Sequence, residues 1–269
     1  MSTSTPAQEA LLARLQAALT ADARVDATWL AGSFGRGEGD IWSDIDAIAI
    51  VDAEDRAACL VEYTGSRNPV GETVLLRALF DRIAHGVRPD WERYDILFLT
   101  QQEFRRYDRA ALKPLTPESL AAPPMPPAPT PAYQPSADHL AGLAQEFLRI
   151  LGLAPAAFGR EEWLSAQEGA GLMRNLLIEM MFEANGIGRA QRGGVKRLNP
   201  YLTPEQRAAV EAIPAPAASR EALIAASEAL ARLFLPLAKA TLADGSAPWP
   251  QPLEDATRTH LARTCGIVI

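Results

Sequence analysis

The sequence predicts an α+β fold, with an N-terminal α/β domain built on a small mixed sheet and a C-terminal helical bundle. Three observations predict it. Up to residue 113, segments with helical apolar spacing alternate with short strand-like runs. From residue 136 onward the apolar spacing is helical nearly throughout. Between them, residues 114–135 read PLTPESLAAPPMPPAPTPAYQP, with nine prolines in 22 positions. Proline lacks a backbone donor and fixes φ, so this stretch is expected as an extended connector, neither regular helix nor central strand. The expected domains are therefore 1–113, a linker over 114–135, and 136–269.

Each element has its own justification. Residues 6–21 set Leu11, Leu12, Leu15 and Leu19 on one helical stripe. A short strand is expected around Ala27–Leu30, then a glycine-rich turn from Gly32 to Gly39, then a second strand over Ile45–Val51. Residues 72–85 read as a helix, with Val74, Leu75, Ala78, Leu79 and Ile83 inward, and YDILFL at 94–99 reads as a third strand. Beyond the connector, helices are expected near 137–152, 161–185, 204–212 and 219–241, with Gly186 and Gly188 ending the second.

Composition narrows the chemistry. Lys and Arg number 26 against 33 Asp and Glu, a net charge of −7. Gripping a nucleic-acid backbone calls for a basic surface, so this balance argues, weakly, against DNA or RNA as substrate. No apolar run reaches the length that spans a bilayer, and the N-terminus lacks the basic and apolar regions of a secretion signal. Cys59 and Cys265 match no metal spacing or disulfide framework and read as ordinary thiols of a reducing compartment, so a cytoplasmic protein is expected. Composition does not distinguish a monomer from a homodimer.

The informative stretch is GSFGRGEGDIWSDID, Gly32 to Asp46. A strand running into Gly32-Ser33 can open a helix whose free N–H groups bind phosphate. Ten residues then separate Ser33 from Asp44. Asp44-Ile45-Asp46 opens the next strand. Residues two apart on a strand share a face, so Asp44 and Asp46 project together while Ile45 points to the core. Two carboxylates beside a phosphate cradle suit Mg²⁺. Asp95, at the polar start of YDILFL, would complete the set if its strand neighbours the second, as a ligand for a second metal, a proton acceptor, or both. Asp40 and Asp95 are equally open to a capping role.

These residues resemble the DNA polymerase β-type nucleotidyltransferase superfamily, whose signature is Gly-Ser, about ten residues, then Asp-x-Asp/Glu. Within it the stretch is most similar to the antibiotic nucleotidyltransferases, especially the larger lincosamide type and more distantly the aminoglycoside adenylyltransferases. The likeness is strong over about 20 residues and loose over the rest. It implies Mg²⁺ and ATP or another NTP, transfer of AMP to a hydroxyl with pyrophosphate release, and an acceptor bound between a catalytic domain and a helical one. Carried onto this chain, Gly32 and Ser33 would bind the triphosphate, and Asp44 and Asp46 would bind metal. Asp95 falls at the third carboxylate, often a glutamate proposed as base and here the shorter aspartate. Two other readings remain open at this point: adenylylation of a protein, as in superfamily antitoxins and regulators, and a nucleotide-binding module without catalysis.

Further candidates surround the motif. Arg36 would steady the triphosphate or face solvent. Glu179 and Glu183, four apart on the expected helix 161–185, share a face and would supply a base or bind the acceptor, or form a solvated stripe. Arg189, Arg192, Lys196 and Arg197 flank a Gly-Gly turn and would reach the phosphates or line an exposed loop. His85, His139 and His260 form no ligand spacing and receive no role.

Overall fold

The computed structural model describes residues 4–116, 133–188, 192 and 198–269. Most of the expected linker, 117–132, and Arg189, Lys196 and Arg197 lie outside the described residues. The chain forms two compact units, 1–130 and 131–269.

The first unit is a mixed sheet with helices on it. In chain order it runs α1 (Pro6–Ala21), β1 (Val25–Leu30), α2 (Gly32–Arg36), β2 (Ile45–Val51), α3 (Arg56–Tyr63), β3 (Leu75–Leu79), β4 (Ile83–Val87), β5 (Arg93–Leu99), α4 (Gln101–Phe104) and β6 (Lys113–Pro114). The strands lie in the order β3-β4-β5-β2-β1-β6. Only β2 and β5 run parallel among these described pairs.

The period-2 pattern of β2 divides the sheet into two faces. Ile45, Ala47, Ala49 and Val51 join Tyr94, Ile96 and Phe98 under the helices, against Leu11, Leu15 and Leu19 of α1 and Cys59, Leu60 and Tyr63 of α3. Ile48 and Ile50 pack on the other face with Trp29, Leu99, Phe104 and Leu112. That second cluster covers the C-terminal half of β2 and leaves its N-terminal end half-exposed.

The segment expected as a helix over 72–85 is instead the hairpin β3–β4. Leu79 pairs with Ile83 around a tight turn in which Phe80 and Asp81 take φ of +51° and +53°. Spacing alone favoured a helix, yet Val74 is 65% exposed and Leu75 36%. Pairing of β4 with β5 overrides the local pattern. Gly86 carries the clearest local sign: a Cβ there would fall 2.3 Å from the Tyr94 ring, so the two strands approach only because the side chain is absent.

The second unit is helical among the described residues: α5 (Ala137–Gly152), α6 (Ala154–Gly159), α7 (Trp163–Ala184), α8 (Pro204–Glu211), α9 (Arg220–Asp244) and α10 (Gln251–Thr264). The four helices expected from spacing are all present, and α6 and α10 add to them. α5 fits its amphipathic pattern closely, burying Leu140, Leu143, Ala144, Phe147 and Leu151. Phe147 stacks on Phe234 of α9 at 3.8 Å between ring centroids. Gly186, at φ +69°, follows the end of α7. No helix among the described residues is long and apolar enough to cross a membrane.

Candidate active site

The Gly-Ser turn and β2 are tied at the backbone. β1 ends at Leu30, and the Ala31 N–H donates to the Asp46 carbonyl at 2.8 Å. Gly32 follows with φ +57°, and a Cβ there would lie 1.8 Å from Asp46 Oδ2. The Asp46 carboxylate therefore rests directly on the glycine, in space any other residue would fill. Both the left-handed backbone and the close approach require glycine. Helix α2 starts at this point, and the first N–H groups of a helix have no partner within it. Ser33 is half-buried in that first turn.

The loop back to β2 is held by side chains on both sides. Asp40 Oδ1 accepts from the Trp42 N–H at 3.0 Å and from Ser43 Oγ at 2.8 Å, a local turn that stands in for backbone pairing. Gln8, on α1 and 1% exposed, donates through Nε2 to the carbonyls of Asp40 (3.0 Å) and Ser43 (2.8 Å). Asp40 is thus a turn-forming residue. Asp44 and Asp46 are half-buried on either side of the buried Ile45.

Asp46 and Asp95 are register partners across the parallel pair β2–β5. Register partners lie side by side on one face. The row continues: Asp95 faces His85 across β5–β4, and His85 faces Arg77 across β4–β3. Asp95 Oδ1 lies 2.6 Å from His85 Nδ1. This histidine received no role from sequence, because it forms no ligand spacing with the other histidines and its own segment, 72–85, was expected as helix.

Two cations lie at the C-terminal end of α2. Arg36 is exposed and pairs with Glu38, Nε to Oε2 at 2.9 Å. Lys113, not singled out from sequence, sits on β6 opposite Leu30 and brings Nζ within 3.3 Å of where a Gly37 Cβ would stand. A lone lysine ahead of a proline-rich stretch carries no motif, and only the β1–β6 pairing puts it beside α2.

The helical unit holds a second acidic cluster. Glu183 is buried, with its side chain fully enclosed. It accepts from Tyr133 OH at 2.6 Å and from Arg192 Nη2 at 2.7 Å. Arg192 Nη1 lies 2.6 Å from Glu179 Oε1. His139 Nε2 is 3.4 Å from Glu183 Oε1. His139, Glu179 and Glu183 bring ligand atoms within 4.8 Å of one another, a spacing that could hold a cation. The Arg192 guanidinium already stands against both carboxylates and lies over the Phe182 ring at 4.7 Å. Burial, and then the bond to Glu183, push the Tyr133 phenol up to about 12, so it donates and does not titrate near neutrality. Glu183 is therefore not part of a solvated stripe. Its role here is to clasp Arg192 and Tyr133.

No family model and no curated protein matches this sequence. The chain is similar in structure to an aminoglycoside 6-adenyltransferase from Bacillus subtilis, at a TM-score of 0.45 and 16% identity over 97% of this chain and 99% of that one, a likeness too distant to bear on what this chain does.

Proposed function

We propose that this chain is a magnesium-dependent nucleotidyltransferase that moves AMP from ATP onto a hydroxyl of a small molecule. The observation that carries the reading is the pair Asp46–Asp95, in register on adjacent parallel strands, with Asp46 lying against Gly32 of the Gly-Ser turn. Asp44, Asp46 and Asp95 are all-oxygen donors of the kind Mg²⁺ takes, with phosphate oxygens and water filling the remaining positions. Bound there, Mg²⁺ would supply charge neutralisation at the triphosphate.

The chain's own residues account for the remaining work. The α2 turn at Gly32 and Ser33 receives phosphate oxygens. Asp95 takes the acceptor hydroxyl's proton through Oδ2, since Oδ1 is engaged by His85. The acceptor oxygen forms its bond to the α-phosphorus as the bond to the bridging oxygen breaks, and that electron pair leaves with pyrophosphate. Phosphoryl chemistry of this kind needs positioning and charge more than covalent help. A net charge of −7 favours a neutral or cationic small acceptor over a nucleic acid. Hydroxylated antibiotics of the lincosamide and aminoglycoside kinds are the first acceptors to try, on the strength of the sequence motif.

The test is pyrophosphate release with each NTP, Mg²⁺ and a panel of hydroxylated acceptors. Asp46→Asn should abolish turnover while leaving the circular dichroism spectrum unchanged. Near-normal transfer by a folded Asp46→Asn variant would overturn the mechanism.

A further inference from the structure

We propose that the helical unit binds, in a pocket of its own, a small amphipathic molecule with an apolar body and an amine. The inference is independent of nucleotidyl transfer. A cavity of about 470 Å³ opens among α5, α6, α7 and α9, lined by residues of this unit alone. That size falls within the ~300–1,000 Å³ of small-molecule sites. Its walls are apolar, with Ile150, Leu153, Phe158, Met173 and Leu223 among them. The space exists because α7 turns Ala166 and Gly169 toward it, three residues apart on one face.

Two observations mark it as more than a packing gap. Ser227, 4% exposed, is the one buried polar residue of the lining and brings a hydroxyl to the otherwise apolar wall at α9. The α6–α7 connection at the cavity's edge puts Glu161, a non-glycine, at φ +57°. That connection sets both Arg160 and Glu162 in the lining, and backbone strain of this kind collects at binding sites.

The charges select the ligand. Arg149 is already committed to Glu146 through two bonds of 2.6 and 2.7 Å. Glu162 caps nothing with its side chain, and neither it nor Glu168 has an ion-pair partner among the described residues. Against these two carboxylates stands one uncommitted guanidinium, Arg160. The balance favours an amine at the mouth, an apolar ring or branched chain against the walls, and one polar atom at Ser227.

Fluorescence titration of the full chain tests this, with dansylcadaverine as the cationic probe and anilinonaphthalene sulfonate as its anionic counterpart. Saturable, single-site, blue-shifted binding of dansylcadaverine is expected, tighter than the anionic probe. A Cβ at Gly169 meets only an ordinary contact, 3.7 Å from Ile150, so Gly169→Leu should fold while filling the pocket and weaken binding at least about tenfold. Ser227→Ala should weaken it by about three- to tenfold, and Glu162→Gln with Glu168→Gln should remove the preference for the cation. No saturable binding, binding unchanged in both Gly169→Leu and Ser227→Ala, or tighter binding of the anionic probe would each overturn the proposal. If Gly169→Leu fails to fold, Ser227→Ala decides alone.

Discussion

At the scale of single residues, the site turns on contacts that leave no alternative side chain. Gly32→Ala would drive a methyl into the Asp46 carboxylate and strain a φ of +57°. It should cost about 1–3 kcal/mol of stability and abolish nucleotide transfer, as read by denaturant unfolding and pyrophosphate release. His85 acts on Asp95 through a single 2.6 Å contact and reaches nothing else named in the site. Partners that orient a ligating carboxylate are worth about 10–100-fold in activity. His85→Ala should therefore lower kcat about tenfold with the fold intact, while His85→Asn, which keeps a donor near Nδ1, should recover most of it. Equal loss in both variants would remove the orienting role. Sequence spacing could mark Asp44, Asp46 and Asp95, since their pattern is local to two strands. It could not mark His85 or Lys113, whose importance comes wholly from which strand lies beside which.

At the scale of elements, strand pairing outvoted local spacing once, in β3–β4. The same five apolar residues fit a helical stripe and a hairpin, and the choice was made by β5, which begins at Arg93, fourteen residues beyond Leu79. Gly86→Ala should be strongly destabilising, because its Cβ would meet the Tyr94 ring at 2.3 Å. In the helical unit, α9 and α10 are locked by Glu254, which is 1% exposed. It accepts from Lys239 (3.0 Å), Trp249 Nε1 (2.7 Å) and Arg258 (2.6 Å). Removing it leaves the Trp249 N–H without its acceptor while solvent takes up the part-exposed Lys239 and Arg258, so Glu254→Ala should lower unfolding free energy by about 1–3 kcal/mol, measurable as a shift in urea midpoint.

At the scale of the whole molecule, acid should unfold both units. Burial pushes the Glu254 carboxyl up, but its bonds from Lys239, Arg258 and Trp249 outweigh this and hold it below the ordinary 4.5. Arg24 holds Asp22 below 3.8, and the Thr100 N–H holds Glu103 below 4.5. A carboxyl depressed in the folded state stabilises fully above its unfolded pKa, and that stabilisation is lost as pH falls through the folded value. Thermal unfolding should therefore be flat near neutrality and fall steeply below about pH 4.5. The two thiols offer a second readout, one per unit. Cys59 and Cys265 are both buried, and burial pushes Cys59 up to about 11. Neither should react with Ellman's reagent until its unit opens. What the sequence alone determined is what depends on neighbours along the chain: the amphipathic helices, the β2 alternation, and the Gly-Ser to Asp-x-Asp spacing. What only the tertiary structure decided is what depends on residues far apart: the hairpin at 75–87, the Asp46–Asp95–His85 row, and the burial of Glu183 beneath Arg192. Periodicity records which way a side chain points, whereas sheet order and burial are set by the packing of segments whose separation no local pattern encodes.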